Sequence, residues 1–191
     1  MPPAPEPGDR HLETRPTELD DLHGASGYEV RPRLSSPPVG RLYLVRHADA
    51  GHRGGALDDS RRALSKKGER QAEGLADAFA DAGITHLYAS PYLRCMQTLV
   101  PLGHRIGLTV QERDELAEGS GAAGALALAA SHRDTSIAFS SHGDVIPDVL
   151  EALLAQGVRL KDELRWQKAS TWVLSWDGDR ITKGRYLPPP G

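Results

Sequence analysis

The sequence predicts an α/β fold, a three-layer α/β/α sandwich around a mostly parallel sheet. Two observations carry that prediction. From residue 41 onward, short apolar runs of strand character alternate with stretches of helical periodicity. Strands that alternate with helices in this way build a parallel sheet covered on both faces. A length of 191 residues suits one domain with a core of its own.

The elements follow in order. Eight of the fourteen prolines fall within residues 1–38, and no periodicity is sustained there. Residues 1–39 are expected to form a flexible, proline-rich acidic arm, outside a domain at 40–191. Arg41-Leu42-Tyr43-Leu44-Val45 is the first strand, and a polar, glycine-rich loop follows to Leu64. Ser65 is placed to cap a helix reaching residue 82, with Ala72, Leu75, Ala76, Phe79 and Ala80 on one face and Gly83 ending it. Residues 84–89 form the second strand. Ser90-Pro91 predicts a helix start, a cap with proline in the first turn. That helix carries Leu93, Met96 and Val100, with a break near 103–107. A third strand at 108–111, an alanine-rich helix at 121–130, a fourth strand at 135–140 and a helix at 145–155 come next. Residues 171–176 and 180–187 make a hairpin around Asp177-Gly178. No internal repeat is present.

The formal net charge is −3, and its location matters. Residues 1–39 hold seven acids and four bases, whereas 40–191 hold nineteen of each. A neutral body argues against a nucleic-acid partner bound on a large cationic face. No apolar run approaches the ~18 residues of a transmembrane helix, and the N-terminus lacks the basic start and apolar stretch of a signal peptide. The single cysteine, Cys95, permits neither an intrachain disulfide nor a multi-cysteine zinc site. A cytoplasmic protein without membrane attachment is expected.

In open α/β sheets the ligand site lies beyond the carboxyl ends of the strands. After the first strand comes Arg46-His47, after the second Ser90-Pro91-Tyr92-Leu93-Arg94, and after the fourth Ser141-His142-Gly143. Strand order therefore delivers two histidines and two arginines to one edge. Taken singly, each has an ordinary explanation as a polar strand end, a helix-capping arginine or a turn histidine.

Taken together, they form a pattern. Leu44-Val45-Arg46-His47-Ala48 resembles the Arg-His-Gly signature of the histidine phosphatase superfamily, which includes the cofactor-dependent phosphoglycerate mutases. Leu64-Ser65-Lys66-Lys67-Gly68-Glu69-Arg70-Gln71-Ala72 resembles that family's Leu-Thr-x-x-Gly-x-x-Gln-Ala helix start. The stretch from Ser90 through Arg94 to Gln97-Thr98 resembles its Ser-x-x-x-Arg-x-x-Gln-Thr signature, and Ser141-His142-Gly143 its late strand-end histidine. The four motifs keep the family's order over about 41–187. The short regions between them resemble the small branch of SixA-type phosphohistidine phosphatases. They also resemble the phosphatase-like domain appended to some bacterial Nudix hydrolases, although no Nudix motif is present.

The resemblance implies a phosphoglycerate mutase-like fold and a metal-independent phosphatase, with no cofactor and no metal site. Its substrate would be a phosphorylated small molecule, a nucleotide or a phosphohistidine protein. The chemistry fits the residue types. A phosphomonoester dianion repels anionic nucleophiles, so a neutral imidazole is a suitable attacker. His47 would form a phosphohistidine, its second ring nitrogen donating to a backbone carbonyl. Arg46 and Arg94 would offer forked donors to the transferring oxygens, and His142 another. By the family's pattern a glutamate after the third strand protonates the leaving group. Glu118, in Leu116-Ala117-Glu118, fits best, with Glu115 the alternative. A further phosphate-binding arginine is Arg62, or else Arg53. Ala48 stands where the family usually has glycine, and would be strained if the backbone there needed positive φ.

Asp49, His52 and the remaining histidines receive no chemistry, and Cys95 is expected to be a buried thiol. Trp166, Trp172 and Trp176 are expected to pack near the C-terminal hairpin, with a place for Trp166 on a substrate rim as the alternative. Two rival functions stand beside hydrolysis. One is a phosphoglycerate mutase-type phosphotransferase, which the short inserts over the site disfavour. The other is a non-catalytic phosphate-binding regulatory protein, against which the intact Arg46, His47, Arg94 and His142 speak.

Overall fold

Successive strand residues point to opposite faces, and in strand β1 (Arg41–Arg46) both faces are apolar. Leu42 and Leu44 enter one buried cluster, while Tyr43 and Val45 enter another. The structure, a computed structural model, describes residues 40–191 apart from 53 and 55–57. The arm expected at 1–39 and the candidate Arg53 lie outside the described residues.

The first helix is α1 (Lys66–Phe79), and β2 (Ile84–Ala89) follows it. Next come α2 (Leu93–Ile106), β3 (Val110–Glu112) and α3 (Ala122–Ala130). The chain continues through β4 (Ser136–Ser141), α4 (Val145–Ala155) and β5 (Arg159–Leu160). It closes with β6 (Thr171–Asp177) and β7 (Arg180–Leu187). The strands form one sheet in the order β3-β2-β4-β1-β6-β7-β5. Both pairings of β6 are antiparallel and all the others are parallel. Leu75, Ala76 and Phe79 of α1, with Leu99 and Leu102 of α2, pack on the face of Tyr43, Val45, Leu87 and Ala138. Ala125 and Ala129 of α3, with Ile146, Val149 and Leu150 of α4, pack on the face of Leu42, Leu44, Phe139 and Trp172. The layers are those expected from the alternation of elements, and Trp172 and Trp176 are buried under α4 beside the hairpin.

One local expectation needs correction, and one strand is new. Ser90 does not occupy the cap of α2: Tyr92 does, without a side-chain bond, while the Ser90 hydroxyl accepts from Tyr92 N at 3.3 Å and meets His142 Nε2 at 2.7 Å. Pro91 therefore sits in the turn before the helix. The break expected near 103–107 falls at Gly107, after the helix has run through Gly103; the Gly107 φ of 71° is a left-handed conformation natural to glycine. The pair Arg159–Leu160 joins the sheet edge beside β7, a strand too short for periodicity to reveal. Among the described residues, no helix is long and apolar enough to cross a membrane.

Candidate active site

Three neighbouring strands, β2, β4 and β1, end level with one another. Arg46 pairs with Ser141 and Ala89 with Ser140 across the parallel ladders. Two bonds carry the register just past the strands: His47 N donates to Ser141 O at 2.9 Å and Ser90 N to Ser140 O at 3.0 Å. Sheet register alone thus brings Arg46-His47, Ser90 and Ser141-His142 to a common edge.

The loop after β1 is then clamped from two sides. Ser65 N donates to Asp49 O at 2.8 Å, the Ser65 hydroxyl to Asp49 Oδ2 at 2.7 Å, and Asp49 N to Gln71 Oε1 at 3.0 Å. A Cβ on Gly68 would lie 2.0 Å from Asp49 O, so only glycine lets α1 approach this closely. From α2, Thr98 Oγ1 accepts from Ala48 N at 2.9 Å and donates to Arg94 O at 2.7 Å, while Gln97 Oε1 accepts from Leu64 N at 2.8 Å. The Gly-x-x-Gln and Gln-Thr pairs are thereby explained as fasteners of the loop behind His47. Among the described residues, Ala169 is the one non-glycine with left-handed backbone, so Ala48 carries no such strain.

His47 is buried, and its Nδ1 donates to Ala48 O at 2.8 Å, which leaves Nε2 as the unprotonated nitrogen. Burial pushes its pKa down to about 3; the bond to Ala48 opposes this, and the charges of Arg94, His142 and Arg46 reinforce it. The ring faces His142 edge-on, with centroids 5.6 Å apart. His142 Nδ1 accepts from Arg94 Nη2 at 3.2 Å, and its Nε2 donates to Ser90 Oγ at 2.7 Å.

Arg94, fully buried in the first turn of α2, is the hub. Its guanidinium reaches Asp59 O at 2.8 Å and Glu118 Oε2 at 3.3 Å, and lies 4.6 Å from the Tyr92 ring centroid. Arg46 Nη1 donates to Trp166 O at 2.8 Å. Burial lowers the Arg46 pKa against the opposing charge of Asp144. The Nε of Arg46 and the Nε of Arg94 are buried with no acceptor among the described residues, which is unusual for a cationic donor and suits an anion-binding site. Gly143 crowds Arg46: a Cβ there would lie 2.8 Å from Nη2.

Arg46, His47, Arg62, Glu118 and His142 line one cleft of about 370 Å³, with Gly51, Gly143, Asp144 and Lys168 completing it. Arg62 is fixed by Asp59 Oδ1 at 2.8 Å and Ala50 O at 2.9 Å. The segment bearing Glu118 is held by Ser141, whose hydroxyl donates to Leu116 O at 2.8 Å, and by Asp144, whose Oδ2 accepts from Gly119 N at 2.7 Å. Burial would raise the Asp144 carboxyl, but the N–H groups of Gly119, Asp144 and Val145 hold it below its ordinary value. Glu115, the alternative acid, is exposed, packs against Gly124 of α3 and does not line the cleft. Trp166 contributes its carbonyl to Arg46, not its ring to the cleft. Cys95 is buried and its thiol is pushed up to about 12 by that burial, so it is inert.

Lys168, Asp144 and Asp59 join the site without belonging to any of the four motifs. Asp144 follows directly on Ser141-His142-Gly143, so its place beside that motif is a local signal in the sequence. Lys168 lies 119 residues from its partner Asp49, and nothing local marks it. A larger cleft of about 760 Å³ beside α1 and α2 includes none of His47, Arg46, Arg94 or His142. Among the described residues, no group of three or more His, Cys, Asp or Glu is placed to hold a metal ion.

The sequence profile of the histidine phosphatase superfamily, branch 1, matches residues 42–123. An 8-oxo-(d)GTP phosphatase of Mycolicibacterium smegmatis is 31% identical over 180 residues, covering 90% of this chain and 56% of that protein. The chain thus spans just over half the length of this curated relative. A structure from Agrobacterium tumefaciens assigned as a phosphohistidine phosphatase of the SixA type superimposes with a TM-score of 0.64 at 26% identity, covering 80% of this chain and 99% of that one. A protein histidine phosphatase SixA complexed with tungstate matches with a TM-score of 0.61 at 21% identity, covering 79% of this chain and 96% of that one, a likeness of fold.

Proposed function

We propose that the chain, whose residues 42–123 match the profile of the histidine phosphatase superfamily, hydrolyses a phosphomonoester or phosphoramidate through a phosphohistidine on His47. The state of His47 supports this reading most. It is a buried, neutral imidazole with Nδ1 tied to Ala48 O and Nε2 left as the nucleophile, in a cleft shared with Arg46, Arg62 and His142.

In the first step Nε2 of His47 attacks phosphorus. The N–P bond forms as the bond to the leaving atom breaks, and protonated Glu118 gives its proton to that atom. In the second step Glu118 takes a proton from water, the water oxygen attacks phosphorus, and the N–P bond breaks to release phosphate and neutral His47. Arg46, Arg94 and Arg62 hold the equatorial oxygens, on which charge spreads in the transition state. The cationic charge this chemistry draws on comes from these guanidinium groups, so the reaction is expected to be metal-independent. The names of the relatives bring phosphohistidine and a nucleotide forward as substrate classes; a sugar phosphate is the third class to screen.

Purified protein is expected to hydrolyse an aryl phosphate in excess EDTA. It should also accumulate an acid-labile phosphoenzyme that His47→Ala lacks. Turnover that requires added metal, or that survives in His47→Ala, overturns the mechanism.

A further inference from the structure

The segment before β6 is stitched to the nucleophile. Arg46 N donates to Ser170 O at 3.0 Å, Ala169 N is shared between Arg46 O at 3.0 Å and His47 O at 3.2 Å, and Trp166 O receives Arg46 Nη1. Ala169, buried within these bonds, has a φ of 62°. A left-handed alanine is disfavoured by its Cβ and persists only where surrounding structure imposes it. The residue next to it is Lys168, which this conformation delivers to the cleft.

Lys168 Nζ donates to Asp49 Oδ1 at 2.7 Å, and Asp49 is its one side-chain partner among the described residues. An ammonium has three donors, so two remain for a ligand while Asp49 keeps its hold. Asp49 is itself anchored by Ser65 Oγ at 2.7 Å and accepts from Gly51 N at 3.1 Å. Donation from Lys168 and Ser65 holds its carboxyl well below the usual carboxylate range. Asp49 is thus a fixed anionic post that aims Lys168.

The cleft sets Arg46, Arg62 and Lys168 against Glu118 and Asp144, and apart from the imidazoles of His47 and His142 its described lining has no aliphatic or aromatic side chain. Its volume of about 370 Å³ also exceeds the room of a single phosphate, given ~30 Å³ for a water-sized group. Beyond the transferred phosphoryl, the spare donors of Lys168 suit a polar, anionic group, and no aliphatic side chain of the described lining offers a seat for an apolar body.

We infer that Lys168 binds a second phosphate of the substrate, adjacent to the transferred one, so that the enzyme prefers the end of a phosphoanhydride chain. This deepens the proposed hydrolysis and rests on it for the location of the site. Its test reads binding alone, with probes that no phosphatase cleaves. Methylenediphosphonate, phosphonoacetate and methylphosphonate are titrated calorimetrically into wild type, Lys168→Met and Lys168→Arg. The preference of wild type for methylenediphosphonate over methylphosphonate is expected to fall about tenfold in Lys168→Met and to recover at least in part in Lys168→Arg. A change under threefold in Lys168→Met overturns the inference, as does the absence of any wild-type preference. A larger loss for phosphonoacetate than for methylenediphosphonate would assign the subsite to a carboxylate and likewise overturn it. If the Lys168-dependent preference holds but no substrate is turned over, the hydrolase reading falls and the subsite stands.

Discussion

The hydroxyl of Thr98 accepts a hydrogen bond from the backbone of Ala48 at 2.9 Å, tying the residue after His47 to the helix that carries Arg94. The same hydroxyl donates to Arg94 O at 2.7 Å. One buried side chain therefore sets the spacing between His47 and Arg94, which in the proposed mechanism grip the same phosphate from different elements.

Thr98→Val keeps the shape and removes both bonds, leaving the Ala48 N–H buried and unpaired. A loss of about 1–3 kcal/mol in stability is expected, with kcat/KM falling on the order of tenfold or more as the nucleophile drifts from the arginines. Thr98→Ser should recover most of both. Urea unfolding and steady-state kinetics on the three proteins check this; equal behaviour of the Val and Ser variants would remove the role.

Gly143→Ala places a methyl 2.8 Å from Arg46 Nη2. The arginine is flexible and will move, so the fold should survive while phosphate binding does not. The expected outcome is a melting temperature within a few degrees of wild type and a rise of about tenfold in KM and in the inhibition constant for orthophosphate. A normal inhibition constant would show that Arg46 does not touch the phosphate.

Glu118→Gln should hurt alkyl phosphates far more than aryl phosphates, because an alkoxide leaves poorly without a proton and a phenolate does not. A difference of about 10²-fold or more in the two losses is expected. Equal losses would remove Glu118 as the acid. Glu115→Gln, outside the cleft, should change neither ratio.

The depressed pKa of His47 makes stability depend on pH. Free imidazole titrates near 6.5, whereas folded His47 is held to about 3 by burial. Between those values the unfolded chain binds a proton that the folded chain does not, so stability falls as pH drops from 6.5 toward 3, by a total on the order of a few kcal/mol. Between pH 7.5 and pH 5 the urea midpoint of wild type should fall more than that of His47→Gln. Parallel decreases would show that His47 is not held neutral.

Much of this protein is written locally. The alternation of apolar runs and amphipathic stretches determines the positions of every strand and α-helix but β5 to within a few residues, because hydrophobic periodicity is a property of neighbours in the chain. Arg46-His47, Arg94 and His142 were legible for the same reason, each standing where a strand ends or a helix begins. Tertiary structure alone decided the rest. Glu118 and Glu115 are three residues apart and chemically alike, and only the packing of their segment against Ser141, Asp144 and α3 puts one in the cleft and leaves the other outside. Ser90 reads as a helix cap, but the fold puts the cap at Tyr92 and makes Ser90 a partner of His142. Lys168 carries no local signal, since its position depends on a left-handed alanine and on an aspartate 119 residues away. Local pattern specifies elements because it acts through backbone propensity and the side of a strand or helix that is buried. Which polar groups share a cleft depends on sheet register and loop closure, which sum over the whole chain.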